Sequence, residues 1–154
     1  MRSPTFKAVS FSNKKKQIEV VYTSGKKITI HFGSIGIRDS IRRVWVDSET
    51  RGKSIGIELA NGEIDFMPYD QPLAIAKDPE YLLQEHIEQV IALIKNSLKE
   101  QKISKRYLAQ QLETSDNQIQ RLLNPDILNK NLSQLYKIAS ILGLEFEMEL
   151  KKAA

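Results

Sequence analysis

The hydrophobic pattern of this chain changes period once, and the change falls on residues 68–79, PYDQPLAIAKDP, which hold three prolines. Before them, short segments alternate apolar and polar residues with period two, as half-buried strands do. After them, apolar residues recur every three or four positions, as on a helix face. Proline lacks the N–H a ladder needs and biases the residue before it toward extended backbone, so three of them interrupt both patterns. The expected fold class is α+β with its parts in series: a mainly antiparallel β-rich domain over 1–67, a Pro-rich linker over 68–79, and a helical domain over 80–154. A length of 154 residues with 41% hydrophobic content is enough for one compact domain or two small ones.

Six segments read as strands: FKAVSF, QIEVVYT, KITIHF, RRVWV, SIGIEL and EIDFM. Turn signals separate them, the strongest being Asn61-Gly62, which suits the positive φ of a tight hairpin. The stretch GSIGIRDSIR is open between a loop and one helical turn. Trp45 and Phe66, as aromatics in strands, are expected in the core, the alternative being a recognition pocket. The lysines at 14–16 and 26–27 are expected to be solvated loop ends and guards against edge pairing, the alternative being phosphate contacts.

Asp78 and Pro79 form a helix start, with Glu80 in the first turn where the helix dipole favours an acid. From there to about residue 102, Leu83, Ile87, Val90, Ile91, Ile94 and Leu98 make an apolar stripe. Within 103–124, two short helical patterns follow. Ser104 caps the first, whose apolar positions are Tyr107, Leu108 and Leu112, with Ala109 small where another helix would cross. Ser115 caps the second, with Gln118 placed to complete a capping box. At about 100° per residue, Ile119, Leu122 and Leu123 share its buried side, while Asn117 and Arg121 lie nearly opposite, flanked by Gln120 and Asn124. Amides pair bidentately with adenine and guanidinium with guanine, so this face suits a major groove; plain solvated surface is the alternative reading. Asn131 caps a last helix, with Leu132, Leu135, Tyr136, Ile138, Ala139 and Leu142 as its apolar positions, ending at Gly143. Beyond it Leu144, Phe146, Met148 and Leu150 alternate with three glutamates, a strand pattern that needs a pairing partner. A second copy of the chain is the expected partner, which makes these four residues the candidate dimerisation set.

Composition narrows the chemistry. With no cysteine there is neither a disulfide nor a thiolate site, and His31 and His86 are far apart, so no metal or cofactor is expected. No nucleophile with a base, phosphate-cradling glycine loop or convergent acids stand out, so an enzyme is not expected. No apolar run reaches the roughly 18 residues of a membrane span, and MRSPTFKAVSF lacks a signal peptide's apolar stretch, so the expected compartment is the cytoplasm. The net charge of +4 permits nucleic-acid binding. Residues 101–143 carry 6 Lys/Arg against 3 acids, although residues 68–154 as a whole carry 11 against 12.

The pattern LAQQL-x-x-S-x-x-x-I-x-RLL-N-P, followed by LSQLYKIASILGLEFEMEL, resembles the Cro/Xre-type helix-turn-helix, and more narrowly the C-terminal DNA-binding domain of HicB-type antitoxins, over about residues 88–151. The resemblance implies a helical Cro-type domain with a C-terminal strand, forming a homodimer that binds a palindromic double-stranded DNA operator. Lys105, Asn117, Gln118, Gln120, Arg121 and Asn124 would contact bases or phosphate. It also implies a transcriptional regulator that represses its own operon, with a toxin protein as partner. The alternative is a protein-interaction module that neutralises a toxin through its β domain with little or no DNA binding. Glu113 stands where that family's turn usually carries Gly, so the turn takes another geometry or holds strain. The N-terminal half resembles instead, through V-x-Y-x-x-G-K-x-I-x-I and L-A-N-G-E, a small uncharacterised β domain found near toxin genes.

Overall fold

The computed structural model describes residues 4–153 and is mixed α+β. The chain divides between Leu82 and Leu83 into two compact units.

In the first unit, β1 (Phe6–Ser12), β2 (Gln17–Tyr22) and β3 (Lys27–His31) form one antiparallel sheet in the order β1-β2-β3. A second antiparallel sheet holds β4 (Ile41–Val46), β5 (Ser54–Leu59) and β6 (Ile64–Pro68) in the order β4-β5-β6. All six expected strands are present. Between the sheets GSIGIRDSIR resolves into a 3₁₀ turn, Phe32–Ile35, closed by Gly36 in the left-handed region at φ 72.

Alternation sets the first sheet's buried face. β2 turns Ile18, Val20 and Tyr22 inward, and its partners across the ladder include Val9, Phe11, Ile28 and Ile30. The Tyr22 ring stacks on Phe6 at 4.8 Å and its hydroxyl donates to the Tyr69 carbonyl at 2.6 Å. Burial, with the carboxylates of Asp70 and Asp78 nearby, pushes that phenol well above its usual pKa.

The second sheet corrects the reading of its aromatics. Trp45, Gly56 and Phe66 stand opposite one another across the ladder, on the face away from the core, while Val46, Ile55 and Met67 line the inner face. Trp45 is half-buried and Phe66 is 52% exposed. Both faces of β4 and of β6 carry apolar residues, so alternation alone did not say which would be covered. The indole lies over Gly56, and Arg43 stacks on the indole at 4.5 Å.

Two bridges tie the sheets at their β1 and β4 sides. The Asn13 amide donates to the Ile41 carbonyl at 2.9 Å and accepts from the Ile41 N–H at 2.8 Å, as a strand neighbour would. The Phe6 N–H donates to the Gly52 carbonyl at 2.7 Å. The stretch expected as a linker is instead partly helical: α1 (Asp70–Ile75) buries Pro72 and seats Leu73 in the β unit's core. Pro68 ends β6 as expected, but Pro72 falls in the first turn of α1, where a missing N–H costs no hydrogen bond.

α2 (Pro79–Gln101) opens on Asp78, whose carboxylate accepts from the Tyr81 N–H at 3.0 Å and from the Lys26 ammonium at 2.8 Å. Lys26 is therefore an ion-pair partner rather than a simple edge guard, and it holds the Asp78 carboxyl below its usual pKa. The helical unit follows with α3 (Lys105–Gln111), α4 (Asp116–Leu122) and α5 (Leu132–Ile141). Its core joins Ile87, Ile91, Ile94 and Leu98 of α2 to Leu108, Ala109, Ile119, Leu122, Leu123, Leu135, Ile138 and Leu142. Of the residues expected on the apolar faces, Leu83, Tyr107, Leu132 and Tyr136 are exposed, each at the margin of its stripe.

The expected C-terminal strand is absent from the single chain. Residues 144–150 belong to no sheet, because a strand exists only through a partner's backbone groups and none lies beside them here. Phe146 folds back, stacking on Tyr136 at 4.6 Å, and the Tyr136 hydroxyl donates to the Met148 sulfur at 3.2 Å.

Candidate nucleic-acid interface

Two capped helices joined by a short turn form the candidate surface. The Ser104 side chain accepts from the Tyr107 N–H at 3.0 Å and starts α3. The Ser115 side chain accepts from the Gln118 N–H at 3.2 Å and starts α4. Each bond satisfies one of the N–H groups a helix start leaves without a partner. Only half of the expected capping box is made, since the Gln118 side chain does not return a bond to Ser115. Between the helices, Glu113 takes the left-handed conformation at φ 52, and the Thr114 N–H donates to the Ala109 carbonyl at 2.9 Å. That is the helix-ending geometry glycine usually serves, so the turn is ordinary in shape and carries the strain of a side chain at positive φ.

α4 divides as its periodicity dictates. Ile119, Leu122 and Leu123 are buried, at 4% exposure or less. Asn117, Gln118, Gln120 and Arg121 are exposed, and no hydrogen bond or ion pair among the described residues occupies their side chains. Asp116 in the first turn and Arg121 in the last each complement the helix dipole. Lys105 is exposed as the first residue of α3, followed by exposed Arg106, with no acid in that first turn.

Asn124 sits differently from the other five candidates. It is half-buried beyond the end of α4, and its side-chain oxygen accepts from the Asp126 N–H at 2.9 Å. Its side-chain oxygen is thus engaged in shaping the loop. Sequence reasoning missed Lys130, whose ammonium donates to the Arg121 carbonyl at 2.7 Å and to the Asn124 carbonyl. It caps the C-terminus of α4 from the following loop, and burial together with nearby Lys95 and Arg121 lowers its pKa. A cation six residues past an Asn-Pro stop is only a faint signal, because the bond depends on the loop's return path. Gln101 acts similarly at the other end of the unit, donating to the Leu142 carbonyl at 2.7 Å.

The candidate dimerisation residues are not brought together by one chain. Leu144, Met148 and Leu150 are exposed, Leu150 fully, and Phe146 is half-covered by Tyr136. Among the described residues, no three metal-ligating side chains cluster and no helix is long and apolar enough to cross a membrane.

The fold and site thus define a two-unit α+β chain with an exposed polar helix face beside a capped turn. No protein-family model, curated protein or solved structure matches it.

Proposed function

We propose that this chain is a sequence-specific DNA-binding transcriptional regulator that acts as a homodimer on a palindromic operator in the cytoplasm. The observation carrying this reading is α4: its apolar side is fully buried, and Asn117, Gln118, Gln120 and Arg121 are exposed with no intramolecular bond to give up. Side chains already hydrogen-bonded within the protein would have to break those bonds to read a base; these do not. Asn117 and Arg121 read base edges, Gln118 and Gln120 contact bases or phosphate, and Lys105 contacts phosphate. Asn124 contributes through its remaining amide N–H groups. Two copies joined through Leu144–Leu150 would engage two half-sites together, converting modest affinity per helix into specificity. The exposed apolar side chains of that tail support this role.

The resemblance to HicB-type antitoxins extends the proposal to repression of the chain's own operon and to a toxin partner. A role for the β unit in covering that partner is favoured by the open edge of β6.

Binding of the full chain to its own upstream DNA, measured by fluorescence anisotropy at two salt concentrations, tests the reading. Arg121→Ala is expected to cost about 1–3 kcal/mol and relax selectivity at one base pair. Equal, weak binding of wild type and an Asn117→Ala/Arg121→Ala variant to any DNA would refute it.

A further inference from the structure

The β unit holds a cleft of about 380 Å³ beside β6. Ile57, Leu59 and Met67 line it from the sheet, Ile35 from the 3₁₀ turn and Ile37 from just beyond it, and its only charged lining residues are Glu63 and Asp65. The cleft therefore mixes apolar side chains with polar surface, Gln71 included, and its charge is purely acidic.

The ladder determines which backbone groups border this cleft. The Leu59 N–H donates to the Glu63 carbonyl at 2.8 Å, and the Tyr69 N–H to the Lys53 carbonyl at 2.8 Å. Antiparallel pairs alternate between bonded and non-bonded, so Ile57/Asp65 and Ile55/Met67 are the bonded pairs between them. The N–H and C=O groups of Ile64 and Phe66 then point away from β5, and β6 is the last strand of its sheet. The Asp65 carboxylate takes the Phe66 N–H at 2.9 Å. What stays open is the N–H and C=O of Ile64 and the C=O of Phe66.

Soluble proteins blunt such edges with charged side chains, proline or a bulge; Asp65 and Pro68 guard part of this one and leave the Ile64 N–H as its open donor. β6 has no lysine, its proline comes only at the last position, and its register with β5 runs without a shift. Its outward side chains are instead apolar, Ile64 at 51% and Phe66 at 52% exposure.

We infer that the β6 edge receives an extended, basic segment of a partner protein, which adds as a seventh strand. Backbone bonds to Ile64 and Phe66 supply register. Side chains of the added strand alternate between the cleft and the face of Ile64 and Phe66, so apolar residues are favoured at every second position. Lysine or arginine is favoured by Glu63 and Asp65. The chain's own alternating tail is a poor occupant, because Glu145, Glu147 and Glu149 would face those acids. This inference rests on the partner-covering role proposed for the β unit and is independent of DNA recognition by the helical unit, so either can fail without the other.

The test uses the full ¹⁵N-labelled chain and two capped synthetic peptides, one alternating Lys and Val, the other Glu and Val. The Lys/Val peptide is expected to shift the amide resonances of residues 35–37 and 64–67 saturably, and the Glu/Val peptide is not. Ile64→Pro removes an edge donor without touching the β5 ladder and is expected to weaken binding at least about tenfold. Glu63→Lys/Asp65→Lys is expected to reverse the preference toward the Glu/Val peptide, which keeps the proposal open to refutation should the proline variant misfold. No saturable shift, shifts confined to the helical unit, or an unreversed preference overturns the inference. Concentration-dependent self-association that Ile64→Pro abolishes would also overturn it, by assigning the edge to a second copy.

Discussion

Asn13 is one side chain doing the work of a strand neighbour, and removing it has a consequence that can be worked out. Its amide makes two bonds to the backbone of Ile41, donating at 2.9 Å and accepting at 2.8 Å across the junction of the two sheets. A neutral hydrogen bond contributes about 1 kcal/mol net, and an orphaned partner costs more where water cannot reach it. The site is only half-buried, so water replaces part of the loss, and Asn13→Ala is expected to cost about 2 kcal/mol. Trp45, the chain's only tryptophan, lies in the same unit, so its fluorescence reports on that unit's unfolding. With a urea slope of about 1 kcal/mol/M for a unit of this size, the midpoint should fall by about 2 M.

Asn13→Asp sharpens the argument. It keeps an acceptor for the Ile41 N–H but turns a carboxylate oxygen toward the Ile41 carbonyl, which favours the protonated form in the fold. The folded pKa is then raised above the unfolded value of about 3.9. The folded state binds the extra proton, so the deficit relative to wild type deepens as pH rises from the unfolded to the folded pKa. Below about pH 4 the protonated acid again offers one donor and one acceptor, and the deficit shrinks. An Asn13→Ala midpoint unchanged within error, or an Asn13→Asp deficit independent of pH, would refute the bridging role.

Three further outcomes follow from local geometry. Glu113→Gly should stabilise the helical unit by about 0.5–1 kcal/mol in thermal or urea unfolding, since relief of left-handed strain of about 1–2 kcal/mol outweighs glycine's added chain entropy. Gly56→Ala would drive a Cβ into the Trp45 ring, so the indole must leave the sheet, with a red-shifted emission and a loss of about 1–3 kcal/mol. Asp78 has a carboxyl pKa lowered mainly by the Lys26 hydrogen bond, so its contribution is present above the ordinary carboxylate pKa and lost as pH falls through the lowered one. Lys26→Met should therefore flatten the acid limb of the stability profile by at most about 1 kcal/mol, the pair being partly solvated.

Much of the candidate interface was legible because it depends on neighbours close in sequence. Ser104, Ser115 and Asn131 cap helices by bonding an N–H three residues ahead, so residue type and spacing suffice to place them. The division of α4 into a buried Ile119 side and an exposed Asn117/Arg121 side follows from helical pitch and apolar spacing alone. Asn124 and Lys130 were harder, because their bonds depend on how the loop after Pro125 turns back toward α4.

The six strands of the β unit, the starts of α2 to α5 and the polar face of α4 were thus determined by the sequence itself, through periodicity and short-range hydrogen bonding. Tertiary structure alone decided that Trp45 and Phe66 face outward, because a strand apolar on both sides is assigned its buried face by whatever packs over it. It also decided that α1 seats Leu73 in the β core, and that Asn13 reaches Ile41, 28 residues away. The tail's alternation states only a capacity to pair. In the single chain that capacity stays unfilled, since a strand's hydrogen bonds must come from another strand.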